Sequence, residues 1–284
     1  MYRKIGLFTY QFVLASIGVI LVAALPGLFK GIQVNIQSYW EEITKLVNKL
    51  FHITELTYKT RDAVRPLFPQ IFIQYKETLL IFLIAFAVSL ILAFIIVLAV
   101  LRMPSRVVQR TKAVFAFLES LPDIFIIVCF QFLMIWFFKK TNILLFRIAT
   151  VGEQRSLFLP ILCLSIPVTF LLIKILFQLM EDEMKKDYVT YAKARGFGYL
   201  YIVRRHMLRN VLFNLVHYSK TIIWFMLSNL IVIEYIFNVN GLVPFLLHYH
   251  SPEVFVIGVF LLYVPFFLFY SLFELFVPVV IRGE

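Results

Sequence analysis

The segment of this chain that is richest in side chains able to form ion pairs and hydrogen bonds is residues 187–210. Four of its basic residues lie close together near the end of the segment: Arg204, Arg205, His206 and Arg209. Such arginines pair with carboxylates or phosphates. The chain suggests neither a nucleophile with a histidine and an acid nor a paired general acid and base. We therefore predict a contact segment and no catalytic residue.

Metal and nucleotide chemistry find no support in the sequence either. Cys129 and Cys163 lie inside apolar runs, without a CxxC pair or the His/Cys spacing of a metal site. No stretch reads G-x-x-x-x-G-K-[ST], so the chain lacks the loop that cradles nucleotide phosphates. The pair Gly196 and Gly198 is not such a loop. We expect no metal site and no cofactor in this chain.

The order of residues within 187–210 predicts two short helices separated by a glycine break. Val189, Ala192 and Lys193 are expected to share one face of the first helix, which Gly196 and Gly198 then end. The second, basic helix is expected to begin near Tyr199. Such an element can fill a groove on another protein, or it can anchor a basic loop to lipid headgroups. The pattern leaves both readings open.

The elements that must hold this segment are membrane helices. Hydrophobic residues make up 62% of the 284 residues and charged residues 15%, more apolar surface than one soluble core can bury. Six apolar runs reach the roughly 20 residues that cross a hydrocarbon core, without the period-two alternation of barrel strands. The predicted fold class is an all-α integral membrane protein with about six transmembrane helices, near residues 7–29, 78–101, 113–138, 157–179, 215–238 and 254–280.

The net charge of +11 is spread between the apolar runs, which favours contact with a lipid bilayer over nucleic acid. Lys and Arg are modestly more frequent on the side of the N-terminus, chiefly in 102–112 and 180–220. We therefore expect a cytoplasmic N-terminus. Arg3 and Lys4 precede the first run as in a signal peptide, but the run is longer than a signal peptide's apolar region, so an uncleaved helix is expected.

The segment 30–77, between the first two runs, is polar but carries an apolar stripe. The members of the stripe recur at spacings of three and four residues: Trp40, Ile43, Leu46, Val47, Leu50 and Phe51. The spacing predicts an amphipathic helix in an extracytoplasmic segment. This helix can lie on the membrane or on a partner, or it can cap the ends of the membrane helices.

Residues 187–210 resemble the cytoplasmic coupling loop, the so-called EAA loop, of ABC importer permeases of the oligopeptide/dipeptide/nickel type. That loop reads approximately D-Y-V-x-x-A-x-A-x-G and, further along, H-x-L-R-N. The residues that match are Asp187, Tyr188, Val189, Ala192, Ala194, Gly196, His206, Leu208, Arg209 and Asn210. Two further stretches, Leu121-Pro122 with Phe125 and Glu234 to Phe237 with Gly241-Leu242, are similar to other patterns of the family.

The resemblance has departures. The family's Asp-Pro-Arg near the C-terminus is absent, and its Pro-Gly-Asp-Pro after the first helix is reduced to Pro26-Gly27. The order of one helix, a sizeable outer segment and five further helices is similar to the B-type permease of a pair. The chain therefore resembles a divergent B-type member.

The resemblance implies a type I ABC importer permease fold in a single transmembrane domain, 1–284, with a cytoplasmic coupling loop at 180–213. The implied partners are a second homologous permease subunit, two cytoplasmic ABC ATPases that hold ATP and Mg, and an extracytoplasmic solute-binding protein. The expected function is a non-enzymatic permease subunit in a bacterial-type cytoplasmic membrane. It would form half of the path of an oligopeptide or related small solute. The alternative is a membrane scaffold or sensor that docks ATPases through the same loop and moves no solute.

In this interpretation the loop is a lever that transmits ATPase closure to the membrane helices. Small residues at Ala192, Ala194 and Gly196 would allow close approach of an ATPase. The arginines of the segment would pair with carboxylates or lipid phosphates, and His206 would form a hydrogen bond beneath the membrane.

Polar residues inside the apolar runs are costly in lipid and often mark a pathway. The candidates for a translocation path are Glu119, Asp123, Gln131, Ser165, Thr169, Ser228, Asn229 and Glu234. Hydrogen bonding between helices is the alternative role for each of them. Glu119 and Asp123 are expected one helical turn apart on the third membrane helix.

Overall fold

The computed structural model describes residues 2–30, 33–60, 63–142 and 157–282, with side chains between residues 5 and 272. The side chains of Arg3 and Lys4, which entered the orientation prediction, lie outside this set. Within the described ranges the helices are α1 (Tyr2–Ala23), α2 (Ile36–Phe51), α3 (Gln70–Val100), α4 (Ser105–Ser120), α5 (Asp123–Thr141), α6 (Phe158–Met184), α7 (Asp187–Ala194), α8 (Tyr199–Ile202), α9 (Leu208–His217), α10 (Ser219–Ile236), α11 (Leu242–His248) and α12 (Pro252–Arg282). Six of these, α1, α3, α5, α6, α10 and α12, are long and apolar enough to cross a membrane. The predicted helical membrane class is confirmed.

The prediction of one continuous third helix over 113–138 is wrong. α4 ends at Ser120 and α5 begins at Asp123, because Leu121 and Pro122 adopt extended backbone with ψ of 140° and 131°. Proline has no N–H to donate and disfavours helical conformation in the residue before it. Glu119 and Asp123 therefore lie on two helices instead of one turn apart on a single helix.

The contacts divide the chain into two compact units. The first unit comprises Met1–Thr78 and Asn240–Glu284. In it α1 packs along α12, where the ring of Phe12 lies 5.5 Å from that of Phe267. The backbone N–H of Leu242, which begins α11, donates to the Thr78 hydroxyl at 2.7 Å. The apolar core beneath the outer segment is formed by Leu56, Tyr58, Leu67, Ile71, Leu242, Phe245 and Val254.

The outer segment of this unit contains the predicted amphipathic helix, α2. Its first turn is capped by Asn35, whose side chain accepts from the N–H of Ser38 at 3.0 Å. Leu46 on this helix is buried against Ala23 and Val256, so α2 covers the ends of α1 and α12. Two short antiparallel hairpins that the sequence analysis missed flank α2: β1 (Phe29–Lys30) with β2 (Gln33–Val34), and β3 (Thr57–Lys59) with β4 (Val64–Pro66).

The second unit, Leu79–Val239, is built around α6. Four helices pack on α6, namely α4, α5, α9 and α10. As a result, 67% of the apolar stretch of α6 that could cross the membrane is buried inside the protein. The hydroxyl of Ser89 on α3 donates to the carbonyl of Ser165 on α6 at 3.0 Å. The segment 187–210 begins directly after α6 ends, so the most buried helix of the unit is joined to it by a turn at 185–186.

Candidate coupling site

The first helix of the segment, α7, is amphipathic and uses its apolar side on its own chain. Val189 and Ala192 are 0% and 4% exposed. Asp187 and Ala194 are exposed on the rest of the helix. Ala192 therefore holds α7 against the chain and does not lie on the surface that another protein could approach. Ala194 and Gly196 remain accessible.

The break after α7 is a Schellman turn centred on Gly196. The N–H of Gly196 donates to the carbonyl of Lys193 at 2.9 Å, and the N–H of Phe197 donates to that of Ala192 at 3.2 Å. Gly196 has a φ of +79°, the left-handed conformation that residues with a Cβ disfavour. A Cβ placed there would meet no atom within 4 Å. Glycine is thus required by the backbone conformation and not by lack of space.

The second helix of the segment begins at Tyr199, as predicted, and continues through α8, a π-helical turn over Val203–Met207, and α9. A π turn inserts one extra residue per turn and shifts the register of the faces that follow. The buried side of this second helix, from α8 through α9, consists of Ile202, Val203, Met207, Val211 and Leu215. The opposite side exposes the basic residues Arg204, Arg205, His206 and Arg209, while Leu208 and Asn210 are half-buried.

A buried carboxylate joins α6, α7 and α9. The side chain of Glu183, in the last turn of α6, is 1% exposed. It accepts hydrogen bonds from the Lys186 ammonium and the Tyr188 hydroxyl, and from the Asn210 amide at 3.3 Å. The Asn210 amide also lies 3.3 Å from the Tyr188 hydroxyl. We call these four residues the Glu183 cluster; they tie the start of α7 and the start of α9 to the end of α6.

Burial, together with the hydrogen bond to Glu183, raises the pKa of Tyr188 to about 12. The phenol therefore stays protonated at physiological pH and keeps donating to the carboxylate. Tyr188 and Asn210 are predicted as site residues by the resemblance alone. The structure brings these two residues together at Glu183, a residue that the sequence did not predict.

Among the described residues, the polar candidates of the membrane helices lie in several separate contacts. Glu119 on α4 accepts a hydrogen bond from the Lys174 ammonium on α6 at 2.8 Å. Seven residues away on each of these two helices, Lys112 forms an ion pair with Glu181. These two ion pairs line a cleft of about 550 Å³ between α4 and α6. Lys174 thus has a specific partner within the described chain.

The remaining candidates are separate from that cleft. Asn229 on α10 is buried and donates to the Asp123 carboxylate on α5 at 2.9 Å. Ser165 and Thr169 are buried, and their hydroxyls donate to carbonyls of their own helix at 2.8 and 2.6 Å. The other three differ in exposure: Gln131 is half-buried, Ser228 is exposed, and Glu234 is 0% exposed. No group of three or more His, Cys, Asp or Glu side chains in the described ranges could hold a metal ion.

Comparison with known proteins decides the family. Residues 91–282 match the family model of the "Binding-protein-dependent transport system inner membrane component", more than half of the chain. The chain belongs to this family. Over 101 residues this inner membrane component is also 29% identical to the dipeptide transport system permease protein DppB of Bacillus subtilis (strain 168). That match covers 36% of this chain and 33% of the relative, so the chain spans about a third of the length of the curated relative that it matches.

Members of this family are non-catalytic membrane subunits that work in ABC complexes with ATPases and binding proteins. The recognition of the family from residues 187–210 is therefore confirmed. The roles of individual residues are a separate question, since family membership alone does not assign them.

The exposed side of the segment in this inner membrane component is aromatic as well as basic. Tyr191, Leu200 and Tyr201 are 66%, 54% and 49% exposed. The guanidinium of Arg195 lies 5.7 Å from the ring of Tyr191 and 5.6 Å from that of Phe197, and Phe197 stacks on Tyr201 at 4.8 Å. We call these five residues the aromatic face.

The aromatic face was not predicted from the sequence, because the expected close approach of an ATPase rested on the small residues of the matched pattern. The spacing of Tyr191 and Arg195, four residues apart on a helix, could have revealed it. Large aromatic and Arg side chains that are exposed together are enriched where proteins bind one another. The face therefore suits a protein partner better than the small residues alone.

Proposed function

We propose that this chain is the permease subunit of an ATP-driven importer and forms half of the path of an oligopeptide or related small solute. The family membership supports the importer assignment. The solute class is supported by the similarity to a dipeptide permease over 101 residues. A second permease subunit would complete the path, and an extracytoplasmic solute-binding protein would deliver the solute.

In the proposed mechanism, two cytoplasmic ATPases bind ATP and Mg and grip residues 187–210. The observation that carries this proposal is the aromatic face, which extends from α7 across the Gly196 turn to the start of α8, while the Glu183 cluster anchors α7. A rigid, exposed face joined directly to α6 transmits a displacement to the buried centre of its unit. The inward-open and outward-open arrangements of the membrane helices must differ little in free energy, so that binding of ATP and solute can shift the equilibrium between them.

This mechanism places residues 187–210, and with them the N-terminus, in the cytoplasm of a bacterial-type cell. Arg204, Arg205 and Arg209 then lie where cationic side chains are favoured next to membrane helices. They would pair with ATPase carboxylates or with lipid phosphates, and His206 would donate a hydrogen bond at the same surface.

A backbone substitution at the Gly196 turn tests the mechanism. Gly196→Val forces a β-branched residue into left-handed conformation, at a cost of at least about 1–2 kcal/mol, and should displace the aromatic face. In vesicles that contain the complete complex, solute uptake should fall while the protein stays in the membrane. Gly198→Ala is the matched control, since Gly198 has a φ of −65° and equally open surroundings.

Two results of these measurements would contradict the proposal. Uptake at the normal rate in Gly196→Val, with Gly198→Ala also normal, would show that residues 187–210 are not the lever. ATPase binding by the unaltered complex without uptake of any peptide would instead favour the scaffold or sensor.

A further inference from the structure

The exposed surface of α2 is divided into an apolar and a polar side. Ile36, Trp40 and Phe51 are 65%, 60% and 81% exposed, and their spacing places them on one side of the helix. The polar side is formed by the exposed residues Gln37, Glu41, Lys45 and Asn48. Because Leu46 already faces the core of the unit, the exposed apolar side is additional to the one that packs inside.

Two contacts, one near each end of α2, fix the direction of its axis. The Tyr39 hydroxyl donates to the Leu21 carbonyl, in the last turn of α1, at 2.9 Å. The Lys49 ammonium pairs with Glu253, in the first turn of α12. α1 ends and α12 begins at the same membrane boundary, since residues from both ends share one core cluster with α2. α2 therefore lies along that boundary and does not project away from it.

Exposed apolar side chains also connect α1 to α2. Val22 near the end of α1 is 53% exposed. Phe29 and Val34, which face each other across the β1–β2 hairpin, are 58% and 62% exposed, and α2 begins directly afterwards with Ile36. The apolar surface of a membrane-crossing helix thus continues onto the apolar side of α2. Lipid is the one occupant expected next to every part of this surface, because α1 is long and apolar enough to cross a membrane.

We propose that α2 is an interfacial helix whose Ile36–Trp40–Phe51 side inserts into the lipid bilayer at the boundary where α1 ends. Tryptophan is favoured at this depth because its ring is apolar and its N–H is polar. Helices of this kind bury their apolar side about 5–10 Å into the headgroup and acyl region. The polar side of α2 faces water. This inference does not depend on the proposed transport function.

Fluorescence of Trp40 tests the proposal in the full-length chain, reconstituted into phosphatidylcholine vesicles. Trp136→Phe and Trp224→Phe leave Trp40 as the one tryptophan of the three. Lipids brominated near the headgroup end of the acyl chain should quench Trp40 at least about twofold more than lipids brominated at the chain terminus. Aqueous iodide should quench it weakly.

A tryptophan on the polar side is the matched control. In the same background with Trp40→Phe, Lys45→Trp should be quenched by iodide and little by either brominated lipid. If Trp40 is instead quenched by iodide and not by brominated lipid, the apolar side is not inserted and is free for a protein such as the solute-binding protein. Equal quenching of Trp40 by shallow and deep bromines would also overturn the interfacial position.

Discussion

Removal of one hydroxyl from the Glu183 cluster should loosen the whole of α7. α7 has 8 residues, too few for a stable isolated helix in water, so its order depends on its anchors. Tyr188→Phe deletes the hydrogen bond to a carboxylate that is 1% exposed. A hydrogen bond to a charged group contributes about 1.5–3 kcal/mol. Since about 1.4 kcal/mol corresponds to tenfold in an equilibrium constant, α7 should open about 10-fold to 100-fold more often.

Amide hydrogen exchange of the full-length chain in lipid nanodiscs measures this opening directly. Peptides that cover residues 187–196 should exchange faster in Tyr188→Phe, while peptides from the middle of α6 should not change. Tyr191→Phe is the matched control, because Tyr191 is on the same helix but is 66% exposed. It should change the free energy of opening by no more than about 0.5 kcal/mol.

The exchange rates of the two variants decide whether the Glu183 cluster holds α7 in place. If Tyr188→Phe exchanges at the same rate as Tyr191→Phe, the Glu183 cluster does not hold α7. Glu183→Gln gives a second reading, since it keeps the volume but turns an N–H toward the donors of Lys186 and Tyr188. It should loosen α7 at least as much as the loss of the hydroxyl alone.

Three further outcomes are expected. In a double-mutant cycle of thermal stability in detergent, Asn229→Ala and Asp123→Ala should show about 1 kcal/mol of coupling, and zero coupling would exclude the bond between α5 and α10. Gly258→Ala should destabilise the chain by about 1–3 kcal/mol, since its Cβ would lie 2.4 Å from a leucine side chain of α11, whereas Gly18→Ala meets nothing within 4 Å and should be neutral in the same melt. The pKa of Tyr188 lies above the ordinary 10.0, so the stability that its phenol contributes is complete below pH 10 and is lost as the pH rises toward 12. In an absorbance titration, the tyrosinate signal that disappears in Tyr188→Phe should titrate near pH 12 and not near 10.

Features set by local sequence could be predicted. The six membrane helices follow from hydropathy over about 20 residues. The end of α7 follows from Gly196, because a left-handed residue ends a helix wherever it occurs. α2 follows from the spacing of its apolar residues. In each case the information lies within a few turns of the element itself.

The error in the third helix shows where hydropathy fails. Ser120 to Asp123 lies within an apolar run, so an average over the run does not detect the break. Pro122 carried the signal, because its missing N–H and its effect on Leu121 favour an extended backbone. Proline within α6 at position 167 does not interrupt that helix, so proline alone does not decide the outcome.

Contacts between distant residues could not be read from the sequence. Glu183 lies far along the chain from Asn210, and Glu119 is still farther from Lys174, so that only the fold brings each pair together. The aromatic face likewise depends on the Gly196 turn, which sets Phe197 and Tyr201 beside the end of α7. The Glu183 cluster and the aromatic face are the features that the candidate coupling site consists of.

A site-specific photo-cross-link from residue 191 tests directly whether residues 187–210 contact an ATPase subunit. The cross-linking amino acid replaces Tyr191 in the permease, and the complete complex is assembled with its ATPases and solute-binding protein before illumination. We expect a covalent product with an ATPase subunit, and none with that subunit when the same amino acid replaces Trp40. A product of residue 191 with the solute-binding protein, or with lipid alone, would contradict it.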